Sequence, residues 1–177
     1  ESPGDPSRLW VAHSHPPWLG DRGIARWGVE QTLSMLRWNN SRPDTWLRGR
    51  PGAPAPPGEG GWVPGTYRMD PAYRPSDDPG FLLGHFTAQD PSETLVGLLP
   101  PDGGSGPILD LCAAPGTKTT HLAARFGDAR VIAMDRSRGR MQRLRETLGR
   151  TNDRCPIVLG TGFQPPFRPG VSAGVLL

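Results

Sequence analysis

The feature that most constrains the fold of this chain is the stretch "ILDLCAAPGTKTT" at residues 108–120. A short apolar run ends in an acid, Asp110, and a turn of small residues leads into a segment that can begin a helix. Continuous apolar runs of this length are typical of strands buried in a parallel sheet. Small residues after such a strand let a ligand approach the main chain, and the first turn of the helix offers free N–H groups.

The alternation of strand and helix continues to the end of the chain. Apolar runs predict strands at residues 108–112, 130–135, 156–160 and 173–177, with helices over 119–127 and from a Ser137 cap to Gly149. A further helix is predicted from Asp90 to about Leu99, with Glu93 reaching back as in a capping box. Strands that alternate with helices indicate right-handed crossovers and a doubly wound α/β sheet.

The first half of the chain has a different pattern. Residues 21–40 have helical periodicity, with Gly28 as a break, and short strands are predicted within 45–49, 61–69 and 80–86. A Pro/Gly-rich loop, "RPGAPAPPGEGG", occupies residues 50–61. We therefore expect a small α+β unit over residues 1–85, with most of its tryptophans in the core.

Composition and charge narrow the classes of function. No stretch reaches the ~20 apolar residues of a membrane helix, and two cysteines make no disulfide framework, so we expect a cytoplasmic protein. His13 and His15 lack a third partner, and we expect no metal site. Residues 1–124 carry 10 basic and 13 acidic side chains, whereas residues 125–177 carry 10 and 4. The basic segment can face nucleic acid or reflect an arginine-rich composition.

Three ligand classes use a turn at the end of a parallel strand. A phosphate-binding P-loop is excluded, because Leu111 occupies the position of its first glycine and Thr117 precedes Lys118. A dinucleotide fingerprint is weak, because only Gly116 is available. S-adenosylmethionine needs a close turn and an acid for its ribose. Asp135 ends the second strand 19 residues after Gly116, near the ~20-residue spacing of a ribose-binding acid.

The motif also resembles that of a known family. "LDLCAAPGTKTTHLA" is similar to the cofactor motif of the Sun/NSUN family of RNA (cytosine-5) methyltransferases, which usually has Gly-Gly-Lys where this chain has Gly116-Thr117-Lys118. "HPPWL" (15–19), "NNSRPDTWLR" (39–48) and "QDPSE" (89–93) look like landmarks of the family's N-terminal RNA-binding unit and of the entry into its catalytic domain. "VIAMDRSRGRMQRLRETLGR" looks like its second strand, acid and following helix.

The resemblance, which spans residues 13–177, implies a fold and a site. It implies an α+β RNA-binding unit over residues 1–85, followed over residues 86–177 by the first half of a Rossmann-like S-adenosylmethionine-dependent methyltransferase domain. After the third strand the family has Gly-Asp-Gly, where this chain has Thr161. The lost charge costs ~1–2 kcal/mol, or about tenfold in affinity. The cofactor-binding residues expected from the turn and from the resemblance are Asp110, Cys112, Ala113, Ala114, Pro115, Gly116, Thr117, Lys118, Asp135, Arg140 and Thr161.

The resemblance further implies covalent catalysis on an unstacked cytosine, in which a cysteine thiolate adds to C6 and C5 takes the methyl group. The family's catalytic cysteines follow the fourth strand, and so we expect them after Leu177 and predict no methyl transfer by this chain alone. Cys112 is expected to be a small buried thiol, and Cys155 precedes the wrong strand. Ribosomal RNA is the expected substrate, transfer RNA the second, and the protein a monomer. The alternative is an inactive module that binds RNA or cofactor.

Overall fold

The computed structural model of the protein describes residues 10–102, 106–172 and 174–176. The chain divides into two compact units, residues 1–43 and 44–177. This structural division groups the short strands of the first half with the α/β segment, and the functional division at residue 85 stays a prediction.

The first unit is dominated by helix α1, Pro17–Asn39. Gly28 has a non-helical conformation with φ of 80° and kinks the helix, as the sequence predicts. Trp10 is buried against Gly20, where an added Cβ would lie 2.0 Å from the indole ring. The expectation that most tryptophans are core residues is wrong, because Trp18, Trp27 and Trp38 of this helix are exposed. Their side chains are distributed around a kinked helix and cannot all face the same side.

The second unit begins with an antiparallel sheet in the order β2-β3-β1-β4. Its strands are β1 (Trp46–Gly49), β2 (Glu59–Gly60), β3 (Thr66–Arg68) and β4 (Phe86–Ala88). The strand predicted over residues 80–86 is wrong in its first part, which forms helix α2, Pro79–Leu82. Asp78 caps this helix by accepting hydrogen bonds from the N–H groups of Gly80 and Phe81, and Pro79 suits its first position.

The rest of the unit alternates helices and strands as expected. The elements are α3 (Pro91–Leu98), β5 (Ile108–Asp110), α4 (Thr117–Phe126), β6 (Val131–Asp135), α5 (Arg138–Thr151), β7 (Ile157–Leu159) and β8 (Gly174–Leu176). The strands form a parallel sheet in the order β7-β6-β5-β8, which confirms the α/β fold. Helix α5 continues past the predicted end at Gly149, because Asn152 takes the left-handed cap with φ of 56°.

The core of the parallel sheet lies between β5, β6 and helices α4 and α5. Leu122, Val131, Ala133 and Leu144 are fully buried there. At the face toward the antiparallel sheet, Arg50 makes a two-pronged ion pair with the buried carboxylate of Asp153. These contacts hold both sheets in one unit.

Candidate cofactor-binding site

The turn after β5 is fixed by its neighbours on both sides. The Ala113 N–H donates to the Met134 carbonyl at 2.9 Å, and the Ala114–Pro115 peptide bond is cis. Gly116 precedes helix α4 with φ of 109°, and an added Cβ would lie 3.0 Å from Cδ1 of Leu144. Glycine is therefore required here both for its backbone conformation and for the close approach of helix α5.

Asp135 lies at the end of β6 with its carboxylate facing this turn. The Ala114 N–H donates to Oδ2 at 3.1 Å, and the Ser137 N–H donates to Oδ1 at 2.9 Å. Only 3% of the side chain is exposed. Each carboxylate oxygen has two lone pairs, so each retains capacity for a hydroxyl donor after binding one N–H group. The backbone thus orients a carboxylate that can accept further hydrogen bonds from hydroxyl groups.

Arg140, on the first turn of helix α5, reaches over the same turn. Its Nη2 donates to the Ala114 carbonyl, and its Nη1 lies 3.8 Å from Oδ2 of Asp135. The side chain is 57% exposed, so the guanidinium keeps a face open to solvent or ligand. Arg140 therefore links the turn and the acid that the sequence predicts as one site.

A cavity of 490 Å³ opens where β5, β6 and β7 end. A volume of this size is typical of small-molecule sites. Four of its lining residues are predicted from the sequence: Cys112, Asp135, Arg140 and Thr161. The other five were not predicted, although each of them follows the end of a strand: Leu111, Arg136, Gly160, Gly162 and Phe163. Cys112 is exposed, which corrects the expectation of a buried thiol: the chain turns directly after β5 and leaves its side chain at the cavity.

The other predicted residues support the turn from behind. Asp110 is fully buried, and its Oδ2 accepts a hydrogen bond of 2.7 Å from the hydroxyl of Thr119. Burial raises the pKa of Asp110, an effect opposed by the Thr119 hydroxyl and the positive charge of Lys118. Asp110 therefore anchors helix α4 to β5. It lies outside the cavity lining, as do the residues from Ala113 to Lys118.

Glu93 has a different partner from the one its sequence position predicts. The capping box is wrong: Asp90 caps helix α3 through the Ser92 N–H, and Glu93 turns toward helix α4. Its Oε1 accepts a hydrogen bond of 2.8 Å from the Thr117 hydroxyl and lies 3.4 Å from Nζ of Lys118. The positive charge of Lys118 attracts the Glu93 carboxylate toward helix α4, and the hydroxyl of Thr117 is a second donor to it.

Thr161 follows β7 and lines the cavity. Its hydroxyl accepts a long hydrogen bond of 3.4 Å from the Phe163 N–H. Next to it, the ring of Phe163 is 92% exposed. Thr161 thus offers a neutral hydroxyl to a ligand, and Phe163 offers an aromatic surface beside it.

Other predicted features lie outside this site. Burial raises the pKa of the Cys155 thiol to about 12, with the nearby charges of Asp128 and Asp153 acting in the same direction. Cys155 is therefore protonated at neutral pH and unsuited to nucleophilic attack. In the part of the chain that the structure describes, no group of three or more His, Cys, Asp or Glu side chains forms a metal site. No described helix is long and apolar enough to cross a membrane.

Comparison with known sequences identifies relatives of the chain. Residues 96–166 match the family model described as 16S rRNA methyltransferase RsmB/F. The ribosomal RNA small subunit methyltransferase B of Sodalis glossinidius is 33% identical over 174 residues, covering 91% of this chain and 40% of that protein. The protein of the same name from Cronobacter sakazakii is 36% identical over 170 residues, covering 85% and 38%. The chain thus spans about 40% of the length of these relatives.

Comparison of folds agrees with the sequence relatives. The solved structure of the protein PH0851 superposes with a TM-score of 0.75 at 22% identity, covering 94% of this chain and 41% of that one. A methyltransferase homolog protein from Pyrococcus horikoshii superposes with a TM-score of 0.68 at 18% identity, covering 90% and 56%. Such identities show a shared fold. Taken together, the sequence matches and the shared fold make the chain similar to the RsmB/F ribosomal RNA methyltransferases over the part of their length that it spans.

Proposed function

We propose that the protein to which this chain belongs is an S-adenosylmethionine-dependent RNA (cytosine-5) methyltransferase that acts on ribosomal RNA in the cytoplasm. Transfer RNA is the second candidate substrate, and the protein acts as a monomer. The observation that carries the proposal is the Asp135 carboxylate, which two backbone N–H groups orient at the edge of a 490 Å³ cavity.

The residues at this cavity suit S-adenosylmethionine. Asp135 would hold the ribose hydroxyls, as the lone pairs left on its oxygens allow. Thr161 and the exposed ring of Phe163 would lie beside the adenine. Cys112 and Arg140 would approach the rest of the molecule, while Asp110, Gly116 and Lys118 keep the turn in shape. The bound cofactor supplies an electrophilic methyl group on a positively charged sulfur.

The chain's own residues prepare the site rather than attack the base. Cys155 is buried and protonated, and Cys112 lines the same cavity as the Asp135 carboxylate. We therefore assign this chain the cofactor half of the active site and an RNA-positioning role to its N-terminal segment, residues 1–85. The catalytic cysteines belong to sequence that follows the fourth strand in the family.

Methylation of 16S rRNA by the full-length protein tests the proposal. Unmodified 16S rRNA incubated with the protein and tritiated S-adenosylmethionine should gain label that appears as 5-methylcytidine after nuclease digestion. Asp135→Ala should remove this label, and Arg143→Gln, a change of an exposed arginine outside the cavity lining, should keep it. Label on adenosine or on ribose would contradict the proposal.

The second candidate is a module that binds RNA or cofactor without turnover. Thr161 favours it, because the neutral hydroxyl weakens one cofactor contact relative to a carboxylate. A full-length protein that binds S-adenosylhomocysteine and 16S rRNA but transfers no label would select the module over the enzyme.

A further inference from the structure

Helix α5 carries an unusual concentration of positive charge. It contains five arginines and a single acid, Glu146, whose Oε1 accepts a hydrogen bond from the side chain of Gln142. Arg140 and Arg150 are used internally, at the cofactor turn and at the carbonyls of helix α2 and strand β4. Among the residues that the structure describes, no ion pair of up to 4.0 Å involves the others, which are Arg138, Arg143 and Arg145.

Arg138 and Arg145 lie on the same face of this helix. They are seven residues apart, which is two helical turns and about 10.5 Å along the axis. Met141 lies between them on this face and is buried. Both arginines are exposed residues, and they border a cavity of 450 Å³ whose other wall is formed by Ile157 and Leu159 of strand β7.

Among the strands that the structure describes, β7 is an edge of the parallel sheet, and it adds backbone donors to the same place. Every second residue of this segment forms its backbone hydrogen bonds with strand β6. The Ala133 N–H donates to the Pro156 carbonyl, and the Gly160 N–H donates to the Asp135 carbonyl. In a parallel ladder this pattern directs the backbone hydrogen-bonding groups of residues 156, 158 and 160 toward β6. The N–H groups of Ile157 and Leu159 then point away from β6, toward the free edge. Both of these residues line the cavity.

We propose that this surface, formed by Arg138, Arg145 and the free edge of β7, binds the phosphodiester backbone of a single-stranded RNA segment. The guanidinium group pairs with two phosphate oxygens at once, and the edge N–H groups are further donors to anionic oxygen. Contacts to phosphate oxygens carry no sequence information, so this surface positions RNA without selecting its sequence. This inference rests on the proposed function, which supplies RNA as the anionic partner.

The surface is separate from the cofactor cavity, and this separation makes it testable. Arg136 and Arg140 line the cofactor cavity, but Arg138 and Arg145 do not. The double variant Arg138→Gln/Arg145→Gln removes both charges and should leave the affinity for S-adenosylhomocysteine unchanged. The matched variant Arg138→Lys/Arg145→Lys keeps the charges. Arg143→Gln is the matched control, because it removes an exposed arginine of the same helix that lines neither cavity.

The experiment is fluorescence anisotropy of the chain with a labelled single-stranded RNA of mixed sequence across a range of salt concentrations. Each phosphate contact contributes about 0.7 to the slope of log affinity against log salt, so the glutamine double variant should lower the slope by about 1.4. At 0.15 M salt this corresponds to about tenfold weaker binding. The lysine variant and Arg143→Gln should keep the slope of the original protein.

The outcomes separate this inference from the proposed function. An unchanged slope in a glutamine variant that still binds S-adenosylhomocysteine would overturn the RNA surface and leave the cofactor site intact. If the glutamine variant lowers the slope but neither it nor the original protein binds S-adenosylhomocysteine, the RNA surface would be supported and the proposed methyltransferase function contradicted. Sedimentation as a dimer that the glutamine variant dissociates, with no change in RNA binding, would make the edge a self-association surface and overturn the inference.

Discussion

Replacing His121 by leucine is expected to make the stability of the protein less sensitive to acid. His121 lies on helix α4 with only 7% of its surface exposed. Its Nδ1 faces helix α3 at Gly97, where an added Cβ would lie 2.2 Å away, and this atom has no hydrogen-bond partner among the described residues. Leucine therefore removes the titrating group without breaking a hydrogen bond found in the structure.

The magnitude follows from the pKa of the imidazole. Burial lowers the pKa of His121 from 6.5 to about 3, and the charges of Arg48 and Arg125 act in the same direction. Below about pH 6.5 the imidazole therefore binds a proton in the unfolded chain but not in the folded chain. Because the proton stabilises only the unfolded chain, the free energy of unfolding falls as the pH falls. Between about pH 7.5 and pH 5 this residue alone should cost about 2 kcal/mol of the free energy of unfolding.

Urea unfolding at a series of pH values measures this effect. The free energy of unfolding should fall by about 2 kcal/mol more in the original protein than in His121→Leu over that pH range. Leu99→Ala is the control, since it changes an exposed apolar side chain and no titrating group, and it should keep the acid sensitivity of the original protein. Parallel curves for the original protein and His121→Leu would refute the reasoning, because they would mean that the imidazole accepts its proton equally in both states.

Three further changes test the packing and the site. Gly97→Ala should destabilise the fold by about 1–3 kcal/mol in the same urea assay, because its methyl group would meet the His121 ring, whereas Gly149→Ala, with open space around it, should stabilise by about 0.5–1 kcal/mol. Arg50→Met should cost about 3 kcal/mol by leaving the charge of the buried Asp153 carboxylate without its partner, whereas Arg68→Met, which breaks an exposed pair, should cost much less; equal losses would contradict this account. Thr161→Asp should tighten S-adenosylhomocysteine binding about tenfold in calorimetry, and unchanged affinity would place Thr161 away from the ligand.

The parallel sheet could be predicted from the sequence because its strands are continuous apolar runs separated by capped helices. The start of α5 at Ser137 and the end of α4 at Gly127 follow from local hydrogen bonding and backbone preference, which a sequence displays. The same local reasoning placed Asp135 and Gly116 together, since a strand end and the next turn meet at one edge of a sheet.

Other features depend on contacts that the sequence does not display. Glu93 was assigned to its own helix, but its partner is the ammonium group of Lys118, 25 residues away. Residues 80–86 have strand-like composition, yet Asp78 and Pro79 start a short helix that ends before β4. The pairing of β4 with β1 across the long loop was not predicted either, because long-range pairing of short strands leaves little local signal.

The most direct test of the central claim is calorimetric titration of the chain with S-adenosylhomocysteine. The account predicts micromolar binding that NADH does not compete. Asp135→Ala should weaken it by at least about 100-fold, because two hydrogen bonds to a charged group are lost. Circular dichroism should show that the variant remains folded, and Arg74→Gln should bind as the original does. Binding of equal strength by a folded Asp135→Ala protein, or no binding by a folded original, would contradict the assignment of this cavity to the cofactor.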